Sequence, residues 1–599
     1  MGTRPLVRWW WLRGPFTAAD ITRQLEWFTA HGFGGVELAW LHPAWLPPTD
    51  DEQRPAFLGP DFQRLLGWTK AEGDRLGLRV DATFGSCWPF GGTWVTEIDA
   101  AKTLDGPSSE RLQGSWEEPA TPPVLDHLSA PAMARYAAAL APAFAPVLAG
   151  HPSALFCDSL ELGVDRIWTP ALDAVFEERF GYDLASADLE DPRVRYDHLA
   201  TVSEAFQEGF VEPFVEAAHQ LGAEARMQCH GAPADLVRAY ATVDVPESEV
   251  LLFEPTHSRI AASAAALAGR RMVTCETFTC TYGFVGRPDL TPLRYWHAER
   301  FDDLRLVADA AFANGVNRIV WHGAPYQPEG RAPEFFASVH VAPDGALSGP
   351  ELTAFNRYLA QASALLQRGR PHTDVAVLLG VEDGFMAGRI PVADRTPGAA
   401  WHFEHRRSVP HAALAGHQPM WITGPFLGAA RVEDGRVVAG HASFSALVVD
   451  VAWLEAEVLA RIVDLAAAGG AVVLGRTPRQ PGTRMVAGYD DLVAWLRSLA
   501  APSVAATGAV PLLAGPALPP YWARRVDDGV VVFLAHPACA DVTFPLRHGQ
   551  AEEATATSRD LTITVDGVAA DIRVRFPAGR SVALHARGDG RVEELELDG

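Results

Sequence analysis

From the N-terminus to about residue 330, short apolar runs alternate with amphipathic stretches, and this alternation limits the possible folds more than any other feature of the sequence. Parallel strands cannot be joined by tight turns; they need a crossover, and an amphipathic helix supplies it while covering the sheet. Eight strands are expected, at Leu6 to Trp11, Gly35 to Trp40, Arg79 to Phe84, Ala154 to Leu160, Ala225 to Cys229, Val243 to Val245 with a weak continuation, Arg271 to Glu276 and Asn317 to Trp321. Between them lie helical patterns over Ala18 to Ala30, Phe62 to Leu76, Ala132 to Leu148, Glu204 to Leu221 and Leu304 to Asn314. Thr17 is placed to cap the first helix, and Gly32, Gly77, Gly222 and Gly315 to end helices in the left-handed conformation. Eight such units predict a (β/α)8 barrel. A doubly wound open sheet ranks lower, because no glycine-rich phosphate-binding turn follows the first strand.

The chain has 599 residues, room for roughly four domains of ~150 residues, or three if one is a large barrel. A second unit begins near Thr373: DVAVLLG, SALVVD, the helical WLEAEVLARIVDLAAAGG and AVVLG give a small α/β domain ending near residue 500. From Ala501 the β-branched runs VVVFLAH, LTITVDG, IRVRF and SVALHA alternate with Gly and Asp turns, the pattern of a small β-sandwich-like module. The expected divisions are 1–370, 371–500 and 501–599.

Fifty basic residues against 74 acidic ones leave a formal charge of -24, which offers no electrostatic footprint for nucleic acid or an anionic membrane. The charge-free stretch from Tyr136 to Cys157 is broken by Pro142, Pro146 and Pro152, so it predicts a helix, a turn and a buried strand rather than a membrane span. The opening MGTRPLVRWWWLRGPF lacks the apolar stretch and cleavage site of a secretory signal, so a cytoplasmic location is expected, with all six cysteines free. No cysteine pair has metal-ligand spacing; four lie near strand ends, as converging ligands or as small buried residues.

In a (β/α)8 barrel the chemistry sits at the carboxyl ends of the strands. Glu161 closes the fourth strand in LFCDSLEL, and Glu276 closes the seventh in MVTCETFT. With a period of two, Cys157, Ser159 and Glu161 share one face, as do Thr274 and Glu276. If both faces point inward, two carboxyls flank one cavity, as cleavage of a glycosidic bond requires: one protonates the leaving oxygen, the other attacks or activates water. The plainer reading pairs each glutamate with an arginine. Asp81, Trp88, Asp158, Gln228, His230, Trp321 and His322 stand near other strand ends and suit a carbohydrate, aromatic faces for the ring and polar groups for its hydroxyls. Each is equally at home as a core aromatic or a structurally partnered polar residue.

The segments FTAHGFGGVEL, LGPDFQRLLGWTKAEGDRLGLRVDATFGSCWPFGGTWV, DSLEL with WTPALDAVFEERFGYDL, RMQCHGAPADLVRAYATVDVPESE, CETFT and FANGVNRIVWHG together resemble glycoside hydrolase family 106, the calcium-dependent inverting α-L-rhamnosidases. The similarity covers most of residues 1–330. DVAVLLG, FSALVVD and AAAGGAVVLG further resemble the amidotransferase-like domain of that family and of related barrel β-galactosidases. The resemblance implies an exo-acting enzyme that removes a terminal sugar, with Glu161 as general acid, Glu276 as general base, and calcium as cofactor. Glu37, Asp81, Asp158, Asp165 and Glu247 are hard oxygen donors near the expected pocket, but no contiguous calcium loop exists and no ligand set is assigned. Two alternatives stay open: a retaining β-galactosidase-like enzyme using the same two glutamates, and a non-catalytic sugar-binding protein. With no cysteine between Cys280 and Cys539, the α/β domain lacks an amidotransferase nucleophile, which leaves it support or self-association into a homo-oligomer.

Overall fold

Eight parallel strands close into a barrel in the computed structural model, which describes residues 2–12, 14–41, 55–109, 112, 122–148, 152–162, 166–283, 295, 298–333, 339–390 and 409–597. They are β1 (Leu6–Trp11), β2 (Gly35–Trp40), β3 (Arg79–Thr83), β4 (Ala154–Cys157), β5 (Glu224–Met227), β6 (Val245–Val250), β7 (Thr274–Thr277) and β8 (Arg318–Pro325). Each pairs with its neighbours in sequence, and β8 returns to β1 with Leu6 opposite Val320 and Arg8 opposite His322. Alternate side chains explain the closure. Val7, Trp9, Trp11, Val36, Leu38 and Trp40 point outward and join the helices in one continuous core.

The first helix, Ala18–Ala30, has the expected bounds, and the Thr17 side chain accepts from the Asp20 amide as its cap. The helix expected over Glu204 to Leu221 starts earlier and is interrupted: Pro192–Phe206 leads through one wide π turn, Gln207–Val211, into Glu212–Gln220. Gly209 lies in that turn, where an added Cβ would come 2.4 Å from the Leu128 backbone. Close approach of two backbones therefore sets the widening.

Beyond the barrel, Val375–Leu378, Met420–Ile422, Ala446–Val449 and Val472–Leu474 form a parallel four-stranded sheet, with helices Ala456–Ala467 and Tyr489–Leu499. The C-terminal module stacks two antiparallel systems, one of five strands and one of three. The five-stranded sheet takes its edge strand, Arg370–Pro371, from the chain just before the α/β domain, a pairing that no local pattern announces. All six cysteines are buried, and none forms a disulfide. Among the described residues, no helix is long and apolar enough to cross a membrane.

Candidate active site

The barrel interior is charged where such barrels usually hold branched apolar side chains. Arg8 of β1 is fully buried, and its guanidinium pairs with Glu37 at 2.8 Å, with Asp158 and Glu247 at 3.3 Å each, and with Glu276. Arg226 of β5 pairs with Glu37, and with Asp81 and Glu247 at 3.4 Å each. Both guanidinium groups lie over the Phe156 ring, 4.3 and 4.9 Å from its centroid. A buried charge is tolerated only when its partners are fixed around it, so this lattice forms a rigid floor.

Glu276 stands on that floor. Its Oε2 accepts from Arg8 and, at 2.8 Å, from Gln228 Nε2; its Oε1 accepts from Thr279 Oγ1 at 2.7 Å, with His322 Nε2 at 3.5 Å. Burial would raise its pKa, but the Arg8 charge, then His322 and the hydrogen bonds from Thr279 and Gln228, outweigh burial and hold the carboxyl at about 2. Glu276 is therefore ionised at ordinary pH. Gln228 Nε2 also donates to Glu247 at 3.3 Å, and its buried Oε1 has no hydrogen-bond partner among the described residues, leaving an oriented acceptor beside Glu276.

Two further carboxyls face the same space with the opposite tendency. Asp158 and Glu249 are both pushed well above the usual carboxylate range, first by burial and then by the negative charges of Glu276 and Glu161. Glu249 sits opposite Glu276 in the β6–β7 register, 3.2 Å from His230 Nε2, while His230 Nδ1 lies 3.1 Å from the Tyr240 hydroxyl. Burial drops the imidazole pKa to about 3, so His230 is neutral.

Glu161 arrives by a different route from the one its spacing suggests. Because β4 ends at Cys157, Phe156 and Asp158 share the inward face, whereas Cys157 points into the outer core. Glu161 follows in a loop, half-buried, with φ +43° and with Ser159 Oγ donating to its carboxylate at 3.1 Å. Leu160 N donates to His230 O and Leu162 N to Gly231 O, both at 3.0 Å, which binds this loop to the one after β5. Gly231 has φ +92°, and an added Cβ would lie 2.4 Å from the Glu161 nitrogen. Gly231→Ala must therefore displace the loop that carries Glu161. We expect it to lower kcat/KM at least about tenfold and to destabilise by about 1–3 kcal/mol, as read by steady-state kinetics and thermal unfolding; wild-type kinetics would show that the close approach is dispensable.

The expected site residues divide accordingly. Asp158, Gln228, His230, His322, Glu161 and Glu276 cluster at the carboxyl-end side of the barrel strands. Trp88 is half-buried against a cluster containing Trp10, and Trp10 in turn meets His322 edge to face at 5.0 Å. Asp81 and Trp321 are elsewhere. Asp81 belongs to the floor: its Oδ1 accepts from Arg79 and from the Ala154 amide, both at 2.7 Å, and its Oδ2 pairs with Arg226. Trp321 is adjacent to His322 on β8, so it must face the opposite way; its indole donates to Asn356 at 3.0 Å in the outer core. Arg8 and Glu249 were not singled out from the sequence. Counting in twos back from Trp10 and forward from Glu247 would have found both.

Whether calcium fits is decided by the same ion pairs. Among the described residues, no group of three or more His, Cys, Asp or Glu side chains stands ready to hold a metal ion. Glu37, Asp81 and Glu247 are spent on arginines, and Asp165 lies outside the described residues. Asp158 and Glu249 differ: hard oxygen donors, the first half-buried and the second buried, and burdened by neighbouring negative charge that one Arg8 contact to Asp158 does not offset. By donor chemistry and charge, these two suit a hard cation.

Residues 119–491 match the family model of glycoside hydrolase family 106, described as alpha-L-rhamnosidase. The fold is similar to that of a rhamnosidase from Novosphingobium sp. PP1Y, with a TM-score of 0.73 at 13% identity over 97% of this chain and 82% of that one. It is also similar to a β-galactosidase from Rahnella sp. R3, with a TM-score of 0.60 at 10% identity over 99% and 100% of the two chains. A Formosa agariphila protein named "Putative beta-glucuronidase" is 24% identical over 344 residues, 54% of this chain; the match spans about a quarter, 26%, of that relative's length.

Proposed function

The chain belongs to glycoside hydrolase family 106, the alpha-L-rhamnosidase family, and from that premise we propose that it is an exo-acting, inverting glycosidase that releases a terminal α-L-rhamnose or a closely related sugar. The observation that supports this reading is Glu276 at the end of β7, held charged by Arg8 and oriented by Gln228 and Thr279, with the Glu161 loop packed onto the loop after β5 beside it. An ionised, fixed carboxylate suits the base, and a carboxyl on a less buried loop suits the acid.

In this reading Glu276 orients a water and takes its proton as the water attacks the anomeric carbon. A carboxylate of such low proton affinity is a weak base. It suffices because the oxocarbenium-like transition state makes the attacking water acidic. Glu161, on the looser and more exposed side, donates its proton to the departing oxygen. Gln228 fixes the Glu276 carboxylate through Nε2 and offers Oε1 to the water or a sugar hydroxyl. His322, Trp10 and Trp88 form the wall against which the ring is placed.

Asp158 and Glu249 would hold calcium, which when bound supplies a positive charge for the sugar's vicinal hydroxyls. Calorimetric titration with calcium should show binding that Glu249→Gln weakens by about tenfold or more, as loss of a charged ligand implies. Heat-silent titration would remove the metal from this reading.

The stereochemical outcome tests the mechanism. Early proton NMR spectra of an aryl α-L-rhamnoside digest are expected to show β-L-rhamnose first, because a single displacement inverts the anomeric centre. Initial release of the α-anomer would favour a retaining double displacement with Glu276 as nucleophile, and no turnover on any aryl glycoside would favour a sugar-binding protein. A cytoplasmic location belongs to the same proposal and points to substrates that are imported oligosaccharides or small glycosides.

A further inference from the structure

The turn that follows β7 is strained at two places. Phe278 has φ +80° and Cys280 φ +46°, left-handed conformations that only glycine adopts readily, and they flank Thr279, the residue whose hydroxyl donates to Glu276. Such a turn persists only where its surroundings over-determine it. On the barrel side the support is plain: Phe278 packs edge to face on Trp321 at 4.6 Å, and its amide donates to Val250 O at 3.0 Å.

Support on the other side comes from the C-terminal module, more than 250 residues away in sequence. Phe544 joins Cys280, Leu252 and Phe253 in one apolar cluster at the ends of β6 and β7. Leu546 N donates to Thr281 O at 2.8 Å. Gly549 N donates to Asp303 Oδ2 at 2.7 Å, and the Tyr282 hydroxyl donates to the same oxygen, also at 2.7 Å. Successive residues of the turn, Cys280, Thr281 and Tyr282, are thus each tied to the segment Phe544–Gly549. Phe253 continues the contact inward, with its ring 4.5 Å from that of His230, the partner of Glu249.

We propose that the C-terminal β module is a working part of the active site: its segment Phe544–Gly549 braces the turn after β7, and Phe544 is the positioning residue that keeps the Thr279 hydroxyl on Glu276. This rests on the glycosidase reading above, since Glu276 must be the group that reacts with water. A module that only docked would stabilise the barrel without bearing on the geometry around Glu276. One that braces the turn sets kcat, because small displacements of a reacting group cost far more rate than binding.

The test is a double-mutant cycle on the full chain, read with an activated aryl α-L-rhamnoside. Phe544→Ala is expected to lower kcat by about tenfold to a hundredfold. KM should stay within about threefold, because the loss falls on the transition state. Thr279→Ala should cause a loss of similar size, and the double variant should be hardly worse than the weaker single one, because both changes remove the same contact. Should Phe544→Ala fail to fold, Phe544→Val, which leaves a smaller cavity, is read in the same cycle. Wild-type kcat in the Phe544 variant, or additive losses in the double variant, would overturn the proposal. A wild-type enzyme inactive on every glycoside would overturn the functional reading and the positioning role with it.

Discussion

Glu276→Gln is expected to lower kcat/KM by about 10³-fold on every glycoside, whatever its leaving group, equivalent to about 4 kcal/mol of lost transition-state stabilisation. The amide is nearly isosteric and can still accept from Arg8, so the fold should survive while the proton acceptor is gone. The same carboxyl sets an expectation for pH. Glu276 must be ionised to act, and with its pKa at about 2 it stays ionised throughout the working range. Arg8→Met would remove the largest of the opposing effects and leave burial to raise that pKa, so the acid limb of the kcat/KM profile should move to higher pH, with activity lost as pH falls through the new value. Stability follows the same sign. A carboxyl depressed in the folded state contributes stability that is complete above its usual pKa of 4.5 and is lost as pH falls from there toward about 2. An acid limb that does not move in Arg8→Met would separate Arg8 from the ionisation of Glu276.

Glu161→Gln is expected to show a loss that depends on the substrate. An acid matters most where the leaving group cannot depart as an anion, so hydrolysis of an alkyl or sugar rhamnoside should fall by about 10³-fold or more, while an activated aryl rhamnoside should keep much of its rate. Equal losses on both would deny Glu161 the role of acid. Attention would then turn to Asp158 and Glu249, the carboxyls raised by burial in the same cluster.

The two glutamates were legible because a (β/α)8 barrel places chemistry at the ends of its strands, and the strands themselves were legible as apolar runs between capped helices. The strands were easiest to read where both faces are apolar or bulky, as in LVRWWW, and hardest where the inward face is charged, as in VPESEV, whose Glu247 and Glu249 made β6 look weak. The face of Glu161 was misread for a related reason. A period of two holds only while the chain remains extended, and β4 stops at Cys157, four residues before Glu161.

What the sequence determined by itself is what local spacing and composition encode: eight parallel βα units, the modules that follow them, and two glutamates on the carboxyl-end side of the barrel strands. Tertiary structure alone decided which charges meet. Arg8 precedes three tryptophans on the first strand, and only closure of β8 onto β1 brings it to Glu276, 268 positions along the chain. The same holds for Gly231 beneath Glu161 and for Phe544 against the turn at Cys280. These contacts join segments whose sequences carry no sign of one another, and the balance of burial against charge that sets each proton affinity exists only once those segments have packed together.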